Sequence, residues 1–537
     1  MASLDGDDRF ARLVVWSQSL GGRLHEAAEI YRDDVTQISL RVRSKNGEEK
    51  QLESGEEAIF CPLSTTLSYL NALEGGRPLG SSAAEEAGLS PGRLTFPNSF
   101  LEQAPPHVIG RFFLMQQYLM GQQSHWHAYI ASLPQPEHVS SWNLPALWPR
   151  NGEDAESGPA LLEGTNAGIA AAEMQANVAQ EYRQARRLLK SVAYPALAEF
   201  TRLLYHWAFC IFTSRSFRPS LVLSAEAQTE LGTDGEASGG RSVPRLSSGC
   251  KTDDFSILLP VLDLANHDPT ARATWEATSA HLADGSASGH EAASVTGVSF
   301  RVQQRYAPGQ QVFNNYGMKT NSELLLGYGF VLPPTATLHN DYVHLRKRGA
   351  SAAVAGTEAG TGQPRDFLLS LRPMDDSSSV VGASRQWPRR TTVAGGLPSA
   401  FSRFEDALLW DLCSQMWTEA DRQQTLGLEP GMEVSMDAIP LEQRTAVLDR
   451  VFAAASPEQL SPFSELEDRA RQTLFAKVAM DYERLAEGEQ YVAEEEDVDA
   501  SERANWQLAQ AYRQQYGAVL INALKTLDPE VELVEAP

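Results

Sequence analysis

Two tyrosines and an asparagine–histidine pair are the residues of this 537-residue chain whose types and spacing could do chemistry. Tyr316 and Tyr328 each stand directly before a glycine, which breaks regular structure and leaves the phenol hydroxyls free to point into a shared space. Asn266 and His267 end an apolar run and are followed closely by Pro269. We expect these four polar side chains to lie at the functional centre of the molecule.

The elements that must position the tyrosines lie in the range Tyr306–Val331. The sequence predicts a turn at Ala307–Gly309, where proline presets φ and glycine accepts a positive φ. A short strand from Gln311 to Asn315 should follow, and an apolar helical run, Glu323 to Leu326, should separate the two tyrosine–glycine breaks. A buried strand, Phe255–Leu264, is predicted to lead into the asparagine–histidine pair.

Helical and low-complexity segments divide the rest of the chain. Apolar residues at helical spacing predict helices through most of the range 99–212 and again from Phe401 onward. The Ser/Gly/Thr-rich stretch Ser224 to Asp253 has few apolar residues and is predicted to be a disordered insertion. The range Gly349 to Ala400 is rich in Gly, Ser, Ala and Pro and is predicted to be a partly disordered inter-domain stretch.

Composition and charge limit the class of function. The chain is 42% hydrophobic and 21% charged, which is ordinary for a soluble globular protein. It has no stretch approaching the roughly 18 consecutive apolar residues that span a bilayer, and its first ten residues lack the apolar region of a secretory signal. The formal net charge of −24 argues against general nucleic-acid binding and fits a basic partner, although acidity also promotes solubility.

The cysteines predict neither a metal site nor a disulfide framework. None of the four forms a C-x-x-C pair, and a tetrahedral zinc site needs closely spaced ligands. A reducing, intracellular setting is therefore expected. The four residues are Cys61, Cys210, Cys250 and Cys413.

Three ordered motifs resemble those of SET-domain protein methyltransferases: FTSRSF (Phe212–Phe217), DLANHDP (Asp263–Pro269) and YGMKTNSELLLGYGF (Tyr316–Phe330). More narrowly, they are similar to the class typified by the plant Rubisco large-subunit lysine methyltransferase and the fungal ribosomal-protein lysine methyltransferases. The resemblance implies an α+β fold. A β-rich SET fold would carry a long helical insert and be followed by an all-α C-terminal domain of the substrate-binding type.

The same resemblance implies the domain boundaries. Residues 1–98 and 213–335 would be the two halves of the SET domain, and residues 99–212 the helical insert between them. Residues 336–400 would form a partly disordered linker, and residues 401–537 the helical C-terminal domain.

The resemblance also implies methyl transfer from S-adenosylmethionine (SAM) to a lysine amine, with Tyr316 and Tyr328 as the catalytic residues. Such a transfer is an in-line displacement, so catalysis is mainly alignment and exclusion of water. Tyr316 matches the tyrosine whose hydroxyl lies at the transferring methyl and the target nitrogen. Tyr328 matches the second channel tyrosine, which limits how many methyl groups fit. An apolar, aromatic channel lowers the lysine pKa by desolvation, so no dedicated general base is expected.

Four further residues are implied to bind SAM. Asn266 matches the asparagine of this class that binds the cofactor, and the backbone of His267 would hold the adenine. Arg215 matches a SAM-contacting arginine and suits the methionyl carboxylate as a bidentate donor. Phe330 is expected to form an apolar wall.

One stretch departs from the class. The Gly-x-Gly turn whose backbone approaches SAM is replaced here by Val35–Arg41, which has no glycine. Ser39 and its neighbours would then present backbone groups to the cofactor, without the φ values and close approach that glycine permits.

Three hypotheses remain. The leading one is a SAM-dependent protein-lysine N-methyltransferase. The second is a catalytically inactive SET-fold protein-binding module, which the missing glycines favour. The third is a SET-type protein-histidine methyltransferase. The leading hypothesis predicts a lysine-bearing protein substrate, ribosomal or another non-histone protein, with no nucleic acid, no membrane and no metal. It also predicts a monomer in the cytoplasm, the nucleus or both.

Overall fold

The structure is a computed structural model of the chain. It describes residues 7–44, 50–80, 95–149, 159–232, 243–247, 249–281, 294–346, 366–385, 400–427, 435, 438–452, 463–492 and 502–533. The chain divides into two compact units. The first consists of Met1–Val139 and Asn177–Gly317, and the second of Ser140–Ala176 and Met318–Pro537.

The part of the chain up to residue 312 contains nine α-helices and ten strands within the described residues. Helix α6 has residues in both units. In chain order the elements are α1 (Asp8–Ser19), β1 (Arg23–Leu24), β2 (Ala28–Asp33), β3 (Gln37–Val42), β4 (Glu57–Pro62), β5 (Leu67–Ser68), α2 (Tyr69–Leu73), α3 (Asn98–Gln103), α4 (Pro106–Met120), α5 (His127–Ser132), α6 (Asn166–Ser191), α7 (Arg202–Arg215), β6 (Ser216–Phe217), α8 (Pro219–Val222), α9 (Ala225–Gly232), β7 (Ile257–Leu258), β8 (Ala273–His281), β9 (Ser294–Val302) and β10 (Gln311–Val312).

The remainder of the described chain is mainly helical. It contains α10 (Asn321–Tyr328), β11 (Tyr342–Arg346), β12 (Asp366–Ser370), α11 (Val380–Ser384), α12 (Asp406–Met416), α13 (Glu419–Leu426), α14 (Leu441–Val451), α15 (Ser464–Glu489) and α16 (Arg503–Leu527). Small sheets and long helices thus occur together, and the predicted α+β class is confirmed.

Three small antiparallel sheets lie in the first unit. Their strand orders are β1-β4-β9-β8, β10-β3-β2 and β5-β7-β6. In the second of these, Tyr31 pairs with Ser39, and Val312 pairs with Leu40. This register places β10, the strand before Tyr316, beside the β2–β3 hairpin.

Helices α4 and α7 pack against each other in the first unit. Helix α4 begins at Pro106, whose fixed φ suits the first turn of a helix. Its Phe112 and Phe113 are fully buried, and the Phe112 ring lies 5.4 Å from that of Tyr205 on α7. Aromatic pairs at this spacing add to the stability that comes from burial alone.

In the second unit, β11 and β12 pair in antiparallel register, and the C-terminal helices share one core. Helix α15 contributes a buried residue every fourth position, which places one face along α16 and α12. The α15 residues concerned are Leu466, Ala470, Leu474, Val478 and Tyr482.

Both predicted strands at the motifs are shorter than expected. The strand predicted from Gln311 to Asn315 is only β10, because Asn314 leaves β3 and forms a parallel bridge with His267. The strand predicted over Phe255–Leu264 is only β7. It ends before Pro260, which lacks the N–H that a sheet ladder requires.

A helix lies at the start of the predicted disordered insertion, Ser224 to Asp253. Helix α9 is capped by the Ser224 hydroxyl, which accepts the Ala227 N–H at 3.2 Å. Ala227 and Leu231 are buried, and this apolar pair offsets the polar composition around it. Residues 233–242 and 248 of the insertion lie outside the described residues.

The predicted linker, residues 336–400, contains strands β11 and β12. Val343 and Leu369 are paired across the two strands and are fully inaccessible to solvent. The apolar segments YVHLR and DFLLS carry the strands, and the residues between them, 347–365, lie outside the description. The division of the chain into five parts remains a prediction.

Candidate functional site

The turn between β2 and β3 is built without glycine. The Asp33 carboxylate accepts the backbone N–H groups of Val35 at 2.9 Å and of Thr36 at 2.8 Å, as expected for an Asx turn. Gln37 then adopts a φ of +60°, a value that glycine reaches without cost and other residues adopt rarely. The backbone conformation associated with glycine is therefore present here at a glutamine.

Asn266 is hydrogen-bonded to this hairpin. Its side-chain Nδ2 lies 2.7 Å from the Ser39 hydroxyl, 3.2 Å from the Ile38 carbonyl and 3.3 Å from the Thr36 carbonyl. The Thr36 and Ser39 hydroxyls are themselves 2.8 Å apart. The structure thus brings Asn266 and Ser39, two predicted cofactor-binding residues 227 positions apart, into direct contact.

His267 and Tyr316 form a second pair. The Tyr316 backbone N–H donates to His267 Nδ1 at 3.0 Å, and the two rings stack with centroids 5.0 Å apart. The Tyr316 hydroxyl donates to the Ala265 carbonyl at 3.1 Å. The backbone adds a further link, because the Asn314 N–H donates to the Asn266 carbonyl at 2.7 Å.

Arg215, the last residue of α7, contacts Asp263, the first residue of the DLANHDP motif. Its Nη1 lies 3.3 Å from the Asp263 carbonyl and 3.4 Å from the Asp263 carboxylate. The Tyr129 hydroxyl donates to that carboxylate at 2.9 Å. The Asp263 side chain is fully buried, and burial raises its pKa while the Arg215 charge opposes the rise.

Asp263 and Tyr129 were not predicted as site residues. Asp263 belongs to the DLANHDP motif, so its position in the sequence could have signalled a role for its side chain. Tyr129 lies on α5, 134 residues before Asp263, and nothing in its local sequence distinguishes it from a core tyrosine.

Tyr328 and Phe330 lie in the second unit. Tyr328 ends α10, and the helix is terminated by Gly329 in the left-handed conformation at φ +77°. A Cβ at Gly329 would lie 2.8 Å from the Asn143 carbonyl oxygen, so the turn has no space for a side chain. The Tyr328 and Phe330 rings are 6.2 Å apart, and the Lys319 ammonium lies 5.8 Å from the Tyr328 ring.

The five other predicted site residues lie in the first unit. Ser39 bonds to Asn266, His267 bonds to Tyr316, and Arg215 contacts Asp263. Among the residues described, no group of three or more histidines, cysteines and carboxylates could hold a metal ion. No described helix has both the length and the apolar character needed to cross a membrane. All four cysteines, each in a described segment, are free thiols.

The chain is 28% identical over 341 residues to the ribosomal lysine N-methyltransferase set10 of Schizosaccharomyces pombe. This match covers 62% of the chain and 48% of set10, so the chain spans about half the length of the curated relative it matches. No protein-family model matches the chain.

Solved structures of LSMT also align with the chain. The SET domain of LSMT bound to lysine and AdoHcy has a TM-score of 0.48 at 15% identity. The alignment covers 98% of this chain and 92% of the LSMT chain. Rubisco LSMT bound to sinefungin and monomethyllysine has a TM-score of 0.47 at 14% identity. That alignment covers 97% of this chain and 92% of the Rubisco LSMT chain. The sequence match to set10 confirms the resemblance predicted from the three motifs: this chain is similar to SET-domain lysine methyltransferases.

Proposed function

We propose that the protein is a SAM-dependent protein-lysine N-methyltransferase. The observation that carries the proposal is two hydrogen-bonded pairs, Ser39–Asn266 and His267–Tyr316, which the adjacent residues Asn266 and His267 join. They bring together three separate parts of the sequence. The similarity to a ribosomal lysine N-methyltransferase supports the same activity. We further propose a non-histone protein as substrate, a ribosomal protein being the first candidate, and a monomeric enzyme in the cytoplasm or nucleus.

The residues of the first unit fit SAM by their chemistry. The Asn266 Nδ2 already bonds the hairpin, so Asn266 offers its amide oxygen. Backbone groups around Ser39 are proposed to face the cofactor, and Arg215 offers a guanidinium. Within the described residues, the hydrogen bonds of Arg215 involve only Nη1, so Nε and Nη2 are available to hold a carboxylate. From the resemblance, we propose Phe330 as an apolar wall and the backbone of His267 as the group that holds the adenine. When bound, SAM supplies a methyl group on a positively charged sulfur.

Tyr316 is proposed to receive the target amine. Its hydroxyl donates its proton to the Ala265 carbonyl, and a phenol oxygen that donates can also accept an N–H from a neutral lysine amine. From the resemblance, we propose Tyr328 as the residue that limits how many methyl groups fit. An apolar, aromatic channel disfavours the charged ammonium, and the amine therefore loses its proton before the methyl transfer.

A catalytically inactive binding module is the second candidate, and one observation favours it. Gln37 occupies a positive-φ position, where a side chain is present on backbone that glycine would leave bare. If this side chain obstructs the cofactor, the fold would be retained without SAM binding.

Calorimetric titration of SAM into the purified protein separates the two candidates. We expect binding that Asn266→Ala weakens at least tenfold, because the substitution removes the amide and releases the hairpin. Asn98→Ala, which alters an exposed asparagine, is the matched control and should bind like the wild type. Absence of binding to well-folded wild-type protein would exclude the methyltransferase.

Methylation is then measured with labelled SAM and purified ribosomal proteins. Tyr316→Phe removes only the hydroxyl proposed to hold the amine, so we expect normal SAM affinity and a loss of turnover of about a hundredfold or more. Mass spectrometry of the product identifies the modified residue and would reveal histidine in place of lysine.

A further inference from the structure

Asn321, the first residue of α10, makes an unusually complete set of hydrogen bonds. Its side chain is buried, and its Nδ2 lies 2.8 Å from the Leu332 carbonyl, 2.7 Å from the Asp341 carboxylate and 3.0 Å from Gln515 Oε1. Its Oδ1 accepts the Leu332 N–H at 2.9 Å. Asn321 therefore pairs with both backbone groups of Leu332, as a neighbouring strand would do.

Helix α16 supplies a second donor to the same carbonyl. Gln515 Nε2 lies 3.2 Å from the Leu332 oxygen, so this oxygen accepts from Asn321 and from Gln515. The Gln515 Oε1 atom in turn accepts from Asn321, the first residue of α10, at 3.0 Å. The last helix of the chain is thus bonded both to α10 and to the segment that follows it.

Tyr328 lies in the loop of chain that these hydrogen bonds close. Asn321 lies seven residues before Tyr328 and Leu332 lies four residues after it, and their pairing closes the intervening chain into a loop. Gly329 is packed against the Asn143 backbone on the way. The backbone on both sides of Tyr328 is therefore held by a helix start, a glycine turn and α16, all within the second unit.

We propose that Asn321, Asp341 and Gln515, here called the Asn321 cluster, are positioning residues that set the place of Tyr328 and thereby the number of methyl groups the channel accepts. This inference rests on the proposed function, in which Tyr328 lines the lysine channel. Helix α16 then belongs to the catalytic apparatus and not only to a surface that holds the protein substrate.

The physical basis is the size of a methyl group. Admission of a second or third methyl depends on a displacement of the channel wall of about one ångström, and a shift of this size also degrades alignment for the displacement. A less constrained Tyr328 should therefore give a larger share of higher methylation states at a lower rate. A purely structural role for Gln515 would lower stability without changing the ratio of products.

Gln515→Leu tests the inference, because leucine keeps the approximate size and removes both hydrogen-bonding groups. Gln514→Ala is the matched control, since Gln514 is the exposed neighbour on the same helix. Hydrogen–deuterium exchange is measured over residues 327–332 in the full chain. Asn321 accepts the Leu332 N–H and loses its own bond to Gln515 in the variant. We therefore expect the Leu332 amide to exchange about tenfold faster in Gln515→Leu and at the wild-type rate in Gln514→Ala.

The second readout is the ratio of mono-, di- and trimethylated lysine formed on purified ribosomal proteins. A shift toward higher states in Gln515→Leu, with SAM affinity unchanged, supports the inference. If exchange and product ratio both match the Gln514→Ala control, the inference is overturned while the proposed function stands. If the wild type methylates none of these proteins, the proposed function fails, and this inference fails with it.

Discussion

At the scale of single residues, His267 shows how one contact fixes the chemistry of a side chain. Its Nδ1 accepts the Tyr316 N–H, so the neutral ring carries its proton on Nε2. Stacking on the Tyr316 ring then fixes its orientation. The motif predicted that His267 and Tyr316 act at one site. It could not predict this bond, because the two residues are 49 positions apart and meet only through tertiary structure.

Asp341 is the residue whose titration should be most visible in the stability of the protein. Its carboxylate is buried, one oxygen accepts from Asn321, and the other has no hydrogen-bond partner among the described residues. Burial raises its pKa to about 6, from an ordinary value of 3.8. In the folded protein this group is therefore protonated at pH values where the unfolded chain is ionised.

We expect Asp341→Asn to increase the free energy of unfolding at pH 7.5 by about 2 kcal/mol, because it removes a buried charge and keeps the oxygen that accepts from Asn321. Protonated Asp341 stabilises the folded state fully below about pH 4, and this contribution is lost as the pH rises through 6. The gain from the variant should therefore shrink toward zero at pH 4.

Urea denaturation of both proteins between pH 4 and 8 provides the measurement. Burial lowers the pKa of the nearby His339 to about 4, so its titration changes stability with the opposite sign. This effect is the same in both proteins and cancels when the variant is compared with the wild type. A difference that is independent of pH would contradict the assignment to Asp341.

At the scale of elements, the helices were more predictable than the strands. Helix α15 follows the spacing of four that its apolar residues predict. Strands β7 and β10 contain only two residues each, because their lengths depend on distant partners and not on local sequence. The turn at Gln37 shows the same limit, since a positive φ at glutamine is imposed by the surrounding hydrogen bonds.

The end of α10 provides an element-scale prediction with an internal control. Gly329 has a φ of +77° and no room for a Cβ beside Asn143, whereas Gly327 lies inside the helix with nothing within 4 Å of an added Cβ. We expect Gly329→Ala to lower the free energy of unfolding by about 2 kcal/mol or more, from backbone strain and steric overlap. Gly327→Ala should raise it by about 0.5–1 kcal/mol, since alanine favours helix.

Urea denaturation measures both variants. If alanine has the same effect at both positions, the left-handed turn does not control the end of this helix, and Tyr328 is held by some other feature.

At the scale of the whole molecule, the order of motifs predicted the class of fold and the resemblance to lysine methyltransferases, because three short sequences occur in a fixed order. The strands β11 and β12 were not predicted, because the low-complexity segment between them dominates the local composition. Tyr129 was missed for a related reason: its contact with Asp263 bridges 134 residues and leaves no local signal.

Net charge gives the last prediction. The chain carries a formal charge of −24, and a lysine-bearing ribosomal protein is basic, so their encounter should be accelerated by electrostatic attraction. Salt screens this attraction, with a Debye length of about 10 Å at 0.1 M and about 3 Å at 1 M. We therefore expect KM for the protein substrate to rise at least about fivefold between 50 and 500 mM salt, with kcat nearly constant. The Kd for SAM, measured by calorimetry over the same range, is the control, because a small zwitterionic cofactor is steered far less by the overall charge. If KM stays constant, the acidity of the chain contributes to solubility alone, and the substrate is recognised by short-range contacts.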